Sequence, residues 1–151
     1  MAGPKPPIRT DLAQNRRARH DYSVLEEVEC GIVLSGTEVK AIRHQEVSLA
    51  GAYGVVLGGE LFVLGMHVPE YTHGNRFNHD PKRQRKLLVH AKELRELKMK
   101  TEAKGLTLIP LKLYLKRGRV KLLLGVCRGK NVRDKRETLK EKAVKRDMER
   151  L

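Results

Sequence analysis

The sequence predicts a mainly β protein with inserted helices: a small, closed or nearly closed antiparallel barrel of about six short strands, followed by a basic C-terminal tail. Three observations carry that reading. Apolar residues recur at every second position over 22–34 and 106–127, the period of strands with one buried face, and form short runs over 51–57 and 60–66. Gly58-Gly59 and Lys116-Arg117-Gly118-Arg119 sit between such runs, where hairpin turns belong. Helical spacing is confined to two internal segments and the tail, so the strands must bury their apolar faces mostly against one another.

At 151 residues the chain suits one domain with a tail. Residues 1–14 hold three of the six prolines, at Pro4, Pro6 and Pro7, and no hydrophobic period, so disorder is expected there. The barrel is expected over 15–128 and the tail over 129–151. A compact basic cluster, Asn15-Arg16-Arg17-Ala18-Arg19-His20-Asp21-Tyr22, leads into order. Tyr22, Val24, Val28, Cys30, Ile32 and Leu34 then share one parity, as in a half-buried strand or two in succession, with Gly31 a bulge or bend. Ser35 and Glu38 have the spacing of a capping box and open a short helix ending near His44, from which Lys40 and Arg43 project.

Two strands follow, roughly 51–57 and 60–66, joined by Gly58-Gly59. Residues 69–80 read as a polar loop. Asp80-Pro81 has the form of an N-cap and first helical residue, which predicts a helix carrying Lys82, Arg83, Arg85 and Lys86 in its first turns. The alternative is a basic loop with a separate helix from about His90. Gly105 is placed to end that helix. Ile109, Leu111, Leu113 and Leu115 alternate outward, and Val120, Leu122, Leu124 and Val126 return, with Lys112 and Lys121 on the other face. In the tail, few apolar residues accompany charges at helical spacing, so a helix there is marginal until it meets a partner.

Charge points to that partner. The net charge is +14, and residues 80–100, 101–127 and 128–151 each carry +5, while residues 15–79 carry −2. So one-sided a balance is the footprint of a nucleic-acid binder, against the blander reading of a solubilising surface. Aromatic residues make up 4% of the chain and there is no Trp, which favours backbone and shape recognition over a platform of stacked bases. Cys30 and Cys127 stand apart, and no signal peptide or bilayer-length apolar run is present, so reduced thiols in a cytoplasmic protein are expected.

Catalytic signatures are weak. The six histidines form no metal-binding pair, and no phosphate loop, dinucleotide fingerprint or nucleophile elbow occurs, so a non-enzymatic binder without metal or cofactor is expected. A metal-dependent nuclease built on His73, His79 and Asp80 is the catalytic alternative. Three basic clusters remain: Arg16, Arg17 and Arg19 beside His20; Lys82, Arg83, Arg85 and Lys86; and the tail cluster beginning Lys130, Arg133, Lys135 and Arg136. With Lys40 and Arg43 they argue for a continuous phosphate-binding surface. Glu29 is an acceptor among them, suited either to pair with a neighbouring cation or to accept from a base or ribose. Glu38 is accounted for as a cap.

Five collinear motifs together resemble one family. They are 15–22 and 36–43, then Asp80-Pro-Lys-Arg-Gln-Arg-Lys-Leu-Leu-Val89, Gly105-Leu-Thr-Leu-Ile-Pro-Leu111, and Arg128-Gly-Lys130 with Asp134-Lys-Arg136. In order and spacing they look like the SsrA-binding protein (small protein B) family. The resemblance implies an OB-like antiparallel barrel that grips the tRNA-like domain of transfer-messenger RNA and delivers it to stalled ribosomes for trans-translation. It implies further that the tail enters the empty mRNA channel beside the decoding centre of the small subunit. Elongation factor Tu and alanyl-tRNA synthetase would be indirect partners. Carried over by motif, Asn15, Arg16, Arg17, Arg19, His20, Glu29, Lys40, Arg83, Arg85, Lys86 and Leu88 fall on the RNA side, where Arg43 joins them from the reading of the basic clusters. Gly129, Lys130, Asp134, Lys135 and Arg136 fall on the ribosome side, and Arg133, Lys140 and Lys142 are grouped with them as cations of the same basic tail. The chain departs from the family where Asn131 replaces a usual Lys and where Arg133 replaces a usual aromatic or His. A ribosomal protein or general RNA chaperone using the same basic faces is the alternative.

Overall fold

The computed structural model describes residues 9–72 and 78–129, the side chains of Arg9 and Thr10 excepted. Seven strands and three helices occur among them. In order they are β1 (Arg9–Gln14), α1 (Ala18–Asp21), β2 (Tyr22–Ile32), α2 (Gly36–His44), β3 (Tyr53–Leu57), β4 (Glu60–Leu64), β5 (Arg85–Leu88), α3 (Ala91–Ala103), β6 (Thr107–Lys116) and β7 (Arg119–Gly129). All strand pairings are antiparallel. They run β6-β3-β4-β5-β2-β7 and return to β6, so six strands close a ring and β1 lies outside it on β6. The closing contact is one bridge, Gly54 to Leu108. A Cβ on Gly54 would stand 3.0 Å from the Leu108 Cβ, so only glycine lets the two strands cross this closely.

The barrel interior is filled by Cys30, Leu61, Val63, Leu87, Leu108, Leu113, Leu122, Leu124 and Val126, with Ala41 and Ile42 of α2 and Leu97 of α3 closing it. Both predicted hairpins form. Gly58 and Gly59 have φ of +55° and +76°, the left-handed pair that a two-residue turn requires. The capping box also forms: Ser35 Oγ accepts from the Glu38 N–H, and the Glu38 carboxylate accepts from the Ser35 N–H at 2.8 Å.

Three expectations need correction, and one open alternative is decided. Residues 9–14 are ordered as β1, whose backbone covers the exposed edge of β6 from Lys112 to Lys116. No helix begins at Pro81. The Asp80 side chain accepts from the Lys82 N–H at 3.0 Å, a local turn, and the chain then pairs as β5 between β2 and β4. The separate helix beginning near His90 is the form observed, ended at a left-handed Gly105 with the Leu106 N–H on the Lys100 carbonyl. Finally, Gly31 is in regular register, and the bulge of β2 lies at Leu25.

That bulge, and another at Leu111 in β6, divide residues of one parity between two cores. Val28, Cys30, Ile32 and Leu113 face the barrel interior. Tyr22, Val24, Ile109 and Leu111 turn outward to a second small cluster with Ala18 and Cys127, on which α1 sits. Burial pushes the Cys30 thiol up to about 12 and the Cys127 thiol up to about 11, so both are free, protonated and unreactive at neutral pH.

Candidate nucleic-acid interface

Long β2 links two candidate surfaces, one at each end. At its far end, the outer face of the sheet is built across β5, β2, β7 and β6. Gly31 pairs with Leu88 on one side and Lys121 on the other. Having no side chain, Gly31 lets Leu88 lie across β2, where a Cβ would meet Leu88 at 3.4 Å; Leu88 stays 50% exposed. Two residues back, Glu29 accepts from the Tyr114 hydroxyl at 2.5 Å and from Lys116 Nζ at 3.2 Å. The Tyr114 bond above all, then Lys116 and Lys121, holds this carboxyl below its ordinary value, so it is an ionised acceptor at neutral pH. An exposed leucine, an oriented carboxylate and two lysines thus share one face. The carboxylate can accept from base or ribose donors while the lysines take phosphate.

Beside this face, α2 and the segment leading into β5 are tied together by a buried ion cluster. Arg85 and Glu38 both have side chains that are 0% exposed, joined Nε to Oε2 at 2.6 Å. Arg85 spends its remaining donors on the carbonyls of Met66, Arg83, Asp80 and Pro81. Arg83 completes the cluster, with Nη2 on Glu38 Oε1 at 2.7 Å and on the Val33 carbonyl. Burial pushes the Glu38 carboxyl up, but Arg83, the Ser35 N–H and Arg85 outweigh it, and its pKa falls to about 2. Arg85 is therefore a structural cation inaccessible to RNA, contrary to its expected place on the binding side. Arg83 remains partly open, Lys86 pairs with Glu60 at 2.9 Å, and Lys40 and Arg43 stand exposed on α2. Lys40 Nζ lies 6.0 Å from the Tyr71 ring centroid.

The second surface is the α1 corner at the start of β2. Asn15 is a clamp: its N–H donates to the Leu111 carbonyl at 2.8 Å, and its amide donates to the Pro110 carbonyl at 3.0 Å and the Leu49 carbonyl at 3.4 Å. It thereby fixes the loop before β3 against β6. Arg16 and Arg17 project to solvent, Arg17 lying 3.6 Å from Asp21 with its side chain 79% exposed. Arg19 reaches Glu27 at 2.6 Å, and His20 Nδ1 lies 2.9 Å from Asp21. The His20 bond is the main cause that holds the Asp21 carboxyl below its usual value. Clefts open on both sides of Asn15 and Arg17.

The structure thus groups Glu29 and Leu88 and sets Asn15, Arg16, Arg17, Arg19 and His20 apart from them by most of the length of β2. Lys116 and Lys121 join the first group and were not singled out in the sequence, although alternation does place Lys121 opposite the core. Of the catalytic alternative, His79 is engaged as a structural group, with Nδ1 on the Thr37 hydroxyl and Nε2 on the Val68 carbonyl, both at 2.9 Å. Its companion His73 lies outside the described residues. Among the described residues no three His, Cys, Asp or Glu side chains gather as a metal site, and no helix is long and apolar enough to cross a membrane. The tail positions from Lys130 onward lie outside the described residues; Gly129 ends β7 opposite Tyr22.

A closed barrel whose outer face mixes lysines, an oriented carboxylate and an exposed leucine belongs to the class of small β-barrel RNA binders. The comparisons give the particular family. Residues 12–151 match the family model described as SmpB protein, and the chain belongs to that family. It is 55% identical over 139 residues to the SsrA-binding protein of Staphylococcus haemolyticus, covering 92% of this chain and 89% of that one. The SsrA-binding protein of Staphylococcus saprophyticus is 54% identical over the same share of this chain and 90% of its own. Among solved structures, a chain from "tmRNA-SmpB: a journey to the center of the bacterial ribosome" superposes with a TM-score of 0.67 at 49% identity. That match covers 80% of this chain and 85% of the other.

Proposed function

We propose that this chain is a non-catalytic RNA-binding adaptor. It binds the tRNA-like domain of transfer-messenger RNA and delivers it to stalled ribosomes for trans-translation. The observation that carries the reading is membership of the SmpB family over nearly the whole chain, joined to the outer face on which Glu29, Leu88, Lys116 and Lys121 converge. On this reading Arg16, Arg17, Arg19, His20, Lys40, Arg43, Arg83 and Lys86 supply further RNA or ribosome contacts, and Asn15 and Arg85 hold the elements that present them. The tail, from Lys130 through Arg133, Asp134, Lys135, Arg136, Lys140 and Lys142, enters the mRNA channel near the decoding centre. Elongation factor Tu and alanyl-tRNA synthetase act on the same RNA, and the setting is the cytoplasm.

Affinity for the isolated tRNA-like domain against an ordinary tRNA at moderate salt tests this directly. Tighter binding to the tRNA-like domain is expected, and equal affinities would overturn the reading. Because β7 runs to Gly129 and pairs with Tyr22, the body and tail are separated by a stop after Gly129 rather than after Cys127. That truncation is expected to keep RNA affinity and lose tagging.

A further inference from the structure

We infer that the cleft between α1 and the start of β3 is a pocket for one unpaired nucleobase, stacked on Tyr53 under the guanidinium of Arg17. This rests on the RNA-binding reading and goes further, because it assigns base contact to a surface that the sequence marks only as basic.

Tyr53 is the first residue of β3 and, at 44% exposure, a large apolar side chain left open to solvent. It lines a cleft of about 480 Å³, within the range of small-ligand sites and wide enough for a base with its ribose. The floor is Ala18, Ala52 and Ile109, and the rim is Arg17, Tyr22 and Thr107. Ala18 and Ile109 belong to the outer cluster created by the bulges, so the cleft floor is packed and preformed.

The chemistry at the rim fits a base better than an apolar peptide. The Thr107 hydroxyl has no hydrogen-bond partner among the described residues, so it is available to a base edge, while Tyr53 offers its ring face. The Arg17 guanidinium carries charge for the attached phosphate, and a planar cation above a ring completes a stack. Asp21 and the exposed Arg17 at the rim leave the mouth polar. A lone aromatic stacks any base, so the pocket selects for an unpaired nucleotide and not for its identity.

The test uses the full chain and two probes: a short single-stranded RNA bearing one 2-aminopurine, and a blunt duplex of the same length. Tyr53→Ala is expected to weaken single-strand binding about tenfold while leaving the duplex within about twofold, since stacking on one ring contributes on that scale. Tyr53→Phe should keep the affinity, and 2-aminopurine fluorescence should be quenched by the parent protein and by Tyr53→Phe but not by Tyr53→Ala. An unchanged thermal midpoint in Tyr53→Ala certifies the fold. Equal losses on both probes, or no loss on either, overturn the pocket. If the parent prefers the tRNA-like domain of transfer-messenger RNA while Tyr53→Ala changes nothing, only the pocket falls. If the parent binds that domain no better than ordinary tRNA, the RNA reading itself has failed.

Discussion

Two groups of arginines, both drawn from short basic runs, are used in opposite ways. Arg83 and Arg85 are turned onto one buried carboxylate, Glu38, contributed by a helix more than forty residues earlier. Arg16 and Arg17, on the turn before α1, have no buried partner and point to solvent, Arg17 with a single loose ion pair. The difference follows from the strand and the turn. In β5 every second side chain faces the core, and Arg85 occupies such a position between Gln84 and Lys86, so its charge had to be neutralised inside. At the α1 corner only Ala18 is directed inward. A cation is therefore free for RNA according to where the pleat or the turn points it, and a count of basic residues does not reveal that.

The largest test of this contrast is stability. Removing one member of a buried charge pair leaves the other uncompensated, so Glu38→Gln should destabilise the protein by about 3–5 kcal/mol, whereas Arg17→Ala should change it by less than about 0.5 kcal/mol. Urea denaturation of the two variants measures both. A double replacement, Glu38→Met with Arg85→Met, should not recover the loss, because it also strips the carbonyls of Met66, Arg83, Asp80 and Pro81 of their donor and removes the cap at Ser35. If Glu38→Gln proved as mild as Arg17→Ala, the two groups would not differ as described.

Acid provides the second test. Glu38 has a folded pKa of about 2 against an ordinary 4.5, so its contribution is complete above about pH 4.5 and is lost as pH falls toward 2. The shift corresponds to about 3 kcal/mol. Glu29 and Asp21 are shifted in the same direction, so the parent should lose stability on acidification. Glu38→Gln should lose distinctly less across that window. Parallel curves for parent and variant would show that the cluster contributes nothing through this carboxylate.

What the sequence revealed divides along similar lines. Local chemistry was legible: the Ser35–Glu38 box, the Gly58-Gly59 turn and the Lys116–Arg119 hairpin all form where their residues require. Features set by distant partners were not. β1 has little apolar content and is held by backbone bonds to β6, which leave no side-chain signature. The bulges at Leu25 and Leu111 occur at ordinary leucines, so equal parity falsely suggested one continuous face. Glu38 satisfied its role as a cap, which concealed that the same carboxylate neutralises two arginines. At the binding face, Glu29 and Leu88 came from family motifs. Lys121 and Tyr53 needed the register and the cleft, because nothing local distinguishes an exposed lysine or tyrosine in a strand from any other.

The smallest expected effect separates the open cations from one another. Lys121, beside Glu29 and opposite Gly31, and Arg17, at the α1 corner, lie toward opposite ends of β2. Each takes part in no buried bond, so Lys121→Ala and Arg17→Ala should leave the thermal midpoint unchanged. If each meets one phosphate, each should lower affinity for the tRNA-like domain only several-fold and reduce the slope of log affinity against log salt by about 1. Being far apart, their losses should add in the double variant. A change in affinity with no change in salt slope would mean that the residue positions a neighbour and does not meet phosphate. Losses that fail to add would place both side chains on one shared contact, which the length of β2 between them does not permit in a rigid barrel.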